Sequence, residues 1–399
     1  MVITIRDIFC AVRGALVATV AGCFLLVGGC DTGPAPSLYD PDAESAPAPV
    51  IDSIEPSGSA LAGVDILTFT GQNFSANPSD NLVYFDDTRG EVLEASPTQL
   101  RVRPPNLPRP ELQVRVAVLE AEDFSNSVSY RLDPAAERFS DIKGFEEPFA
   151  ITSDAEGNIY VSLFSGGSSV GIKKIAPDGT RSDFVETTFK WDALAFGPDG
   201  LLYAARGVRA IFRLPEGGSQ ETIIISDSNA DRLTALAFDA QGNLWVGGNA
   251  VSLFRLAPDG SVAAFPFQAN VRDLAVFDGF LYAVGSQDGT SKVWRFPLNS
   301  DGTLGAAEEY FDVTAALGAD ALALAVATNG DVFVGTNADD PVIVIAPDRT
   351  AEVLYPDIME PAAISFAWGA GTSLYMTQGV TSATTPDLIR IETRRQGAR

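Results

Sequence analysis

Glu147, Lys190, Arg232, Asn270, Asp320 and Glu360 occupy one position in six similar stretches of this chain, each just ahead of a short apolar run. Three carboxylates, two cations and an amide brought to one point would make a site for a polar ligand or a cation. Trp191, Asp192, Arg272 and Asp273 lie beside them and could extend the same rim. A plainer account stands next to this one, because residues that enter such runs from a turn face water in any case. Composition removes much other chemistry. The chain has no histidine, the residue most used for general acid-base work and metal ligation. Its three cysteines, Cys10, Cys23 and Cys30, are all N-terminal, so nothing downstream can form a disulfide, a thiol nucleophile or a zinc-thiolate site. With 27 basic and 52 acidic residues the formal charge is −25. Without a basic run to offset it, that field repels phosphate backbones and excludes nucleic acid as a partner. The acidity otherwise fits solubility or a salty habitat, or attraction of cations and basic partners.

The six positions are set by a repeat. Gly157-Asn-Ile-Tyr160, Gly200-Leu-Leu-Tyr203, Gly242-Asn-Leu-Trp245, Gly279-Phe-Leu-Tyr282, Gly330-Asp-Val-Phe333 and Gly371-Thr-Ser-Leu-Tyr375 recur with a period of about 43 residues, as in radial β repeats. Each is preceded by an apolar strand such as Ala193–Phe196 or Ala235–Phe238 and followed by another such as Ile211–Leu214 or Leu253–Leu256. Several units add a Pro-Asp-Gly turn and a fourth strand. Four antiparallel strands repeated radially make a six-bladed β-propeller over residues 136–399. The sixth unit ends without a fourth strand, and residues 136–142 have the character to supply it. The Asp, Asn and Gly turns lack the spacing of a dedicated calcium loop and read as hairpin chemistry.

The pattern from Pro148 through Asp154 to Gly157-Asn-Ile-Tyr160 resembles the NHL, virginiamycin B lyase-like and gluconolactonase/regucalcin group of six-bladed propellers. Lyases of the virginiamycin B type rely on histidine, so that activity is set aside. Gluconolactonase-like propellers hold a divalent metal such as calcium through a Glu ahead of Gly-Pro and through Asn/Asp residues. Glu146-Glu147-Pro148 partly resembles the first element, while Leu233-Thr234 and Val271-Arg272 stand where the family's later Asn-Gly would be expected.

Residues 50–132 are different: short alternating segments broken by Gly, Pro and Asn, the pattern of a small antiparallel sandwich. Ile54-x-Pro56, Gly63, Gly71-x-Asn73-Phe74 and Leu100-x-Val102-x-Pro104 resemble the IPT/TIG immunoglobulin-like family. That resemblance implies a spacer or a protein-binding module and brings no catalytic residue.

The N-terminus reads as an address. Arg6 and Arg13 precede the apolar run Ala15–Val27, which has the length of a signal-peptide core and is short for a membrane span. Val27-Gly28-Gly29-Cys30 resembles a bacterial lipobox, which implies removal of residues 1–29 and acylation of Cys30. Residues 30–49, rich in Pro, Ala, Ser and Asp, read as a disordered tether. The expectation is an all-β protein lipid-anchored at the bacterial cell envelope. Its propeller would act as a non-catalytic binding or scaffolding module for a protein or polysaccharide partner, with no cofactor. The alternative is a metal-dependent lactonase or esterase.

Overall fold

A computed structural model describes residues 45–225, 230–381 and 385–398. The signal segment, Cys30 and nearly all of the expected tether lie outside the described residues. The tether's last residues are not free. The Ala46 amide donates to the Glu120 carbonyl at 2.7 Å, and Asn73 Nδ2 donates to the Ala48 carbonyl at 2.9 Å. The ordered part therefore begins ahead of Val50, because the backbone there finds partners on the sandwich.

The sandwich has two sheets. One orders Val50–Glu55, Leu67–Gln72, Gln99–Arg103 and Glu91–Ser96; the other orders Ser59–Leu61, Val128–Asp133, Arg109–Val118, Asn81–Phe85 and Thr88–Arg89. Alternate residues of the facing strands, among them Leu67, Phe69, Val83, Phe85, Leu100, Val102, Leu112 and Val114, are fully buried between the sheets. The Gly71-x-Asn73-Phe74 signature has a steric cause. A Cβ on Gly71 would lie 1.9 Å from the Val50 carbonyl oxygen. Asn73 adopts φ 59°, which asparagine tolerates, and Phe74 then turns back into the core.

Six four-stranded units follow. The inner strands, in chain order, begin at Glu147, Ala193, Arg232, Asn270, Ala321 and Ala363. Each repeat aromatic packs on the next blade. Tyr160 meets Phe196 edge-on at 4.8 Å between centroids, Tyr203 meets Phe238 at 5.0 Å, and Phe333 meets Trp368 at 5.2 Å. Trp245 is fully buried beside Leu274, and Tyr282 beside Val326. The hairpin aspartates brace these rings. Asp154 accepts from the Asn158 backbone and side-chain amides at 2.8 and 2.7 Å and from the Tyr160 hydroxyl at 2.9 Å. Asp239 accepts from Asn243 in the same way and from Trp245 Nε1 at 2.8 Å. These carboxylates serve the turn and the blade, as their spacing implied.

The ring closes with Ala136–Arg138, which pairs antiparallel with Asp387–Glu392 and completes the sixth blade. Phe139 seals the joint edge-on against Tyr375 at 4.8 Å. The third and fourth blades depart from the repeat. Val262–Phe277 is one continuous strand: its first half is the outer strand of the third blade and its second half the inner strand of the fourth. Residues 186–192 and 354–362 form connecting loops at the equivalent junctions, and the connection over 313–320 contains the short helix Val313–Leu317. The sandwich and the propeller are joined where Arg394 donates to both carboxylate oxygens of Asp65, at 2.8 and 2.6 Å.

Candidate functional site

The inner strands begin irregularly. Their pairing with the second strands slips at Pro148/Ile151, Leu233/Ala235, Val271/Asp273, Ala321/Ala323 and Ala363/Ser365. Such bulges leave a residue unpaired and re-aim its side chain. Two glycines permit them where the site lies. A Cβ on Gly248 would sit 1.9 Å from the Arg232 carbonyl, and one on Gly285 would sit 2.1 Å from the Asn270 carbonyl. Beside the bulges, neighbouring blades are bonded to each other: Thr234 Oγ1 donates to the Val271 carbonyl at 3.1 Å, and the Leu324 amide donates to Asp273 Oδ2 at 2.8 Å.

Above these bulges the channel opens into a cavity of ≈ 450 Å³. Lys190, Arg232 and Asn270 line it, joined by Asp192, Arg206, Asn249 and Arg272. Glu147, Asp320 and Glu360 do not. Asp320 is drawn aside: it accepts from Ser291 Oγ at 3.2 Å, and its amide donates to Asn337 Oδ1 at 2.8 Å. Glu360 is exposed on its loop and Glu147 stands half-buried at the start of its strand. Of the six expected residues, two cations and an amide thus share the cavity, and the three acids stand outside its lining. Trp191 does not join the rim. It is fully buried in the second blade, 5.2 Å from the Phe212 ring, and belongs to the core.

The cations are held by more than charge. Lys190 Nζ lies 3.6 Å from the centre of the Phe149 ring, and the Arg206 guanidinium lies 3.8 Å from that of Phe189. Arg206 Nε is buried without a hydrogen-bond partner. Among the described residues, Arg206, Arg232 and Arg272 pair with no carboxylate, whereas Arg101, Arg181, Arg295 and Arg394 each hold one. The lone acid of the cavity, Asp192, is 3.9 Å from Lys190 Nζ. Burial in the channel wall raises its pKa in spite of Lys190, Arg272 and Arg232 nearby.

Asp192, Arg272 and Ile364 also line a second chamber of ≈ 580 Å³ deeper in the channel, whose other walls include Phe196, Phe238, Leu274 and Phe366. Asp273 faces this chamber as a clasp between blades. Burial pushes its pKa up to about 7, against the Leu324 and Leu274 amides and Arg272. Arg206 and Asn249 were not evident in the sequence, although a signal existed. Both stand at the end of a second strand, shortly after the repeat aromatics Tyr203 and Trp245.

The metal-site alternative would draw on Glu146 and Glu147, the two glutamates ahead of Pro148. Glu146 is buried and gripped by Arg181 through two bonds of 2.7 and 2.8 Å, and it also accepts from the Lys143 amide. Burial alone would raise its pKa, but the Arg181 and Lys143 bonds bring it below the usual carboxylate value. Its oxygens are committed to an ion pair. Among the described residues no group of three or more carboxylates gathers where it could hold a metal ion. The mouth offers a single carboxylate, Asp192, among four cations, a set that does not fit a divalent metal.

Residues 49–132 match the family model described as the IPT/TIG domain. The protein is therefore an IPT/TIG domain followed by a six-bladed propeller. No curated protein matches the sequence. Among solved structures, a putative gluconolactonase aligns at 22% identity and TM-score 0.53, covering 66% of this chain and 93% of its own. An auxiliary nutrient binding protein from Bacteroides thetaiotaomicron VPI-5482 aligns at 10% identity and TM-score 0.51, covering 88% of this chain and 98% of its own. A protein of unknown function from the same organism gives 13% identity, TM-score 0.51 and 89% and 99% coverage. At these identities the likeness establishes the fold. The wider coverage of the two Bacteroides structures takes in the sandwich as well as the propeller. Among the described residues no helix is long and apolar enough to cross a membrane.

Proposed function

We propose that this protein is a non-catalytic binding protein of the cell envelope whose channel mouth captures a small organic acid. One observation carries the reading. In a chain of net charge −25, three arginines without carboxylate partners line a single cavity together with Lys190. A guanidinium left unpaired in a partly desolvated site is an open set of donors, and bidentate binding of a carboxylate satisfies it. At about 5 Å and an effective dielectric of about 20, each such cation attracts a unit anion by roughly 3 kcal/mol before desolvation is subtracted. The surrounding acidic surface opposes indiscriminate anion binding, so selection falls to the cavity. Acylation of Cys30 and the tether from residue 30 would hold the propeller off a membrane, where a protein or polysaccharide partner could present the ligand. The description of one Bacteroides neighbour as nutrient-binding accords with this reading, which rests on the cavity.

Titration calorimetry with glucuronate and with glucose tests it. Glucuronate is expected to bind and glucose to give no heat, with Arg232→Gln and Arg272→Gln each weakening glucuronate. Equal binding of both sugars, or none by either, overturns the reading. So does lactone or ester hydrolysis that is lost with Arg232→Gln.

A further inference from the structure

The mouth cavity does not end at its rim. Asn249 and Asn270 also line a second depression of ≈ 640 Å³ that runs outward over the junction of the third and fourth blades. Its remaining lining includes Asp231, Gln268, Ser286, Gln287 and Asp288. The continuous strand Val262–Phe277 explains why the depression lies here: the chain passes from the third blade to the fourth within a strand, without a loop at that junction.

The chemistry changes along this path. The mouth presents Arg206, Arg232, Arg272 and Lys190, whereas the outer groove, among the described residues, has no cation and carries amides, a hydroxyl and two carboxylates. Gln287 Nε2 donates to the Gln268 carbonyl at 2.8 Å, which fixes one wall. Amides and carboxylates that line an open groove are matched to sugar hydroxyls, which both donate and accept. Asp231 and Asp288 repel any further negative charge placed there.

Resting on the reading above, we propose that the ligand is an oligosaccharide with one terminal uronic acid. The acid occupies the mouth, and neutral sugars run past Asn249 and Asn270 into the groove. A uniformly charged polyuronate is disfavoured by the groove acids, and a neutral glycan leaves the arginines unpaired.

The test is calorimetry on the detergent-solubilised full chain with glucuronate alone, a neutral xylotriose bearing a single glucuronic acid, and tetragalacturonate. The single-acid oligosaccharide is expected to bind at least tenfold more tightly than glucuronate, and tetragalacturonate no more tightly than glucuronate. Gln287→Ala and Ser286→Ala are expected to shrink the ratio between oligosaccharide and monosaccharide affinities at least threefold, with melting temperature recorded as a check on folding. An oligosaccharide no tighter than glucuronate overturns this inference and leaves anion capture at the mouth standing. A tetragalacturonate that binds more tightly than the single-acid ligand also overturns it. Failure of glucuronate and all oligomers overturns both readings.

Discussion

Asn249 and Asn270 are register partners on adjacent strands, one within the continuous strand Leu244–Leu256 of the third blade and the other at the head of the fourth blade's inner strand. Directly opposed residues hold their Cβ atoms about 5 Å apart. The pair therefore forms one amide-bearing threshold between the cationic mouth and the polar groove. It exists because the two blades share a strand.

The arginines should carry the affinity for acids. Arg232→Gln or Arg272→Gln is expected to weaken glucuronate by roughly tenfold to a hundredfold, the cost of a charge-assisted bond of about 1.5–3 kcal/mol. Calorimetry at two ionic strengths checks this. The wild-type affinity should fall with added salt, and the variants should respond less.

Asp192 makes binding depend on pH. Its pKa is raised in the free protein, and a bound carboxylate nearby must raise it further, so capture takes up protons. Affinity is expected to increase as pH falls toward the Asp192 pKa, as long as the ligand itself stays ionised. Asp192→Asn should tighten binding at neutral pH and flatten the profile, which calorimetry in buffers of different ionisation enthalpy would show.

Asp273 affects stability with the opposite sign to an ordinary ion-paired acid. Its folded pKa of about 7 exceeds the unfolded value, so between those two pKa values the native state binds the extra proton. Its contribution to stability is present in full at low pH and is lost as pH rises through about 7. Thermal melts from pH 5 to 8 should show a decline in wild type that is shallower in Asp273→Asn. The comparison removes the general effect of the chain's negative charge, which is common to both.

Glu146 should behave as a structural residue. Glu146→Gln leaves Arg181 buried with half its pairing, and a loss of about 3 kcal/mol is expected, the range for breaking a buried ion pair. Denaturant unfolding measures it. Glucuronate binding by the folded fraction at low denaturant should match wild type, since neither residue lines the mouth.

The closing strand is expected to be a weak point. Phe139→Ala removes a buried ring from the joint between the chain's two ends and should cost about 3–5 kcal/mol. Deleting 133–143 should broaden the thermal transition, because the sixth blade then exposes the edge of Asp387–Glu392. A deletion that melts as sharply as wild type would show that closure is not cooperative.

The architecture was legible in one dimension because it is periodic. A glycine at a turn and an aromatic at a blade interface recur with each blade, in the first three with an aspartate that braces the ring, and local steric and packing rules set each of them. The closing role of residues 136–142 was readable for the same reason, since the last repeat lacked a strand and the first had one to spare. Gly71, Asn73 and Phe74 announced the sandwich through one tight turn. The site was only half legible. Position in the repeat located Lys190, Arg232 and Asn270, but it also selected Glu147, Asp320 and Glu360, which lie outside the cavity lining, because alignment along the chain cannot say which way a side chain is carried. Tertiary structure decided three things. Bulges over Gly248 and Gly285 re-aimed the strand entrances. Ser291 and Asn337 drew Asp320 away, and Arg181 locked Glu146. An uninterrupted strand then opened the rim on one side. The repeat thus determined the ring, while contacts between blades, which no local pattern records, decided that its mouth is cationic.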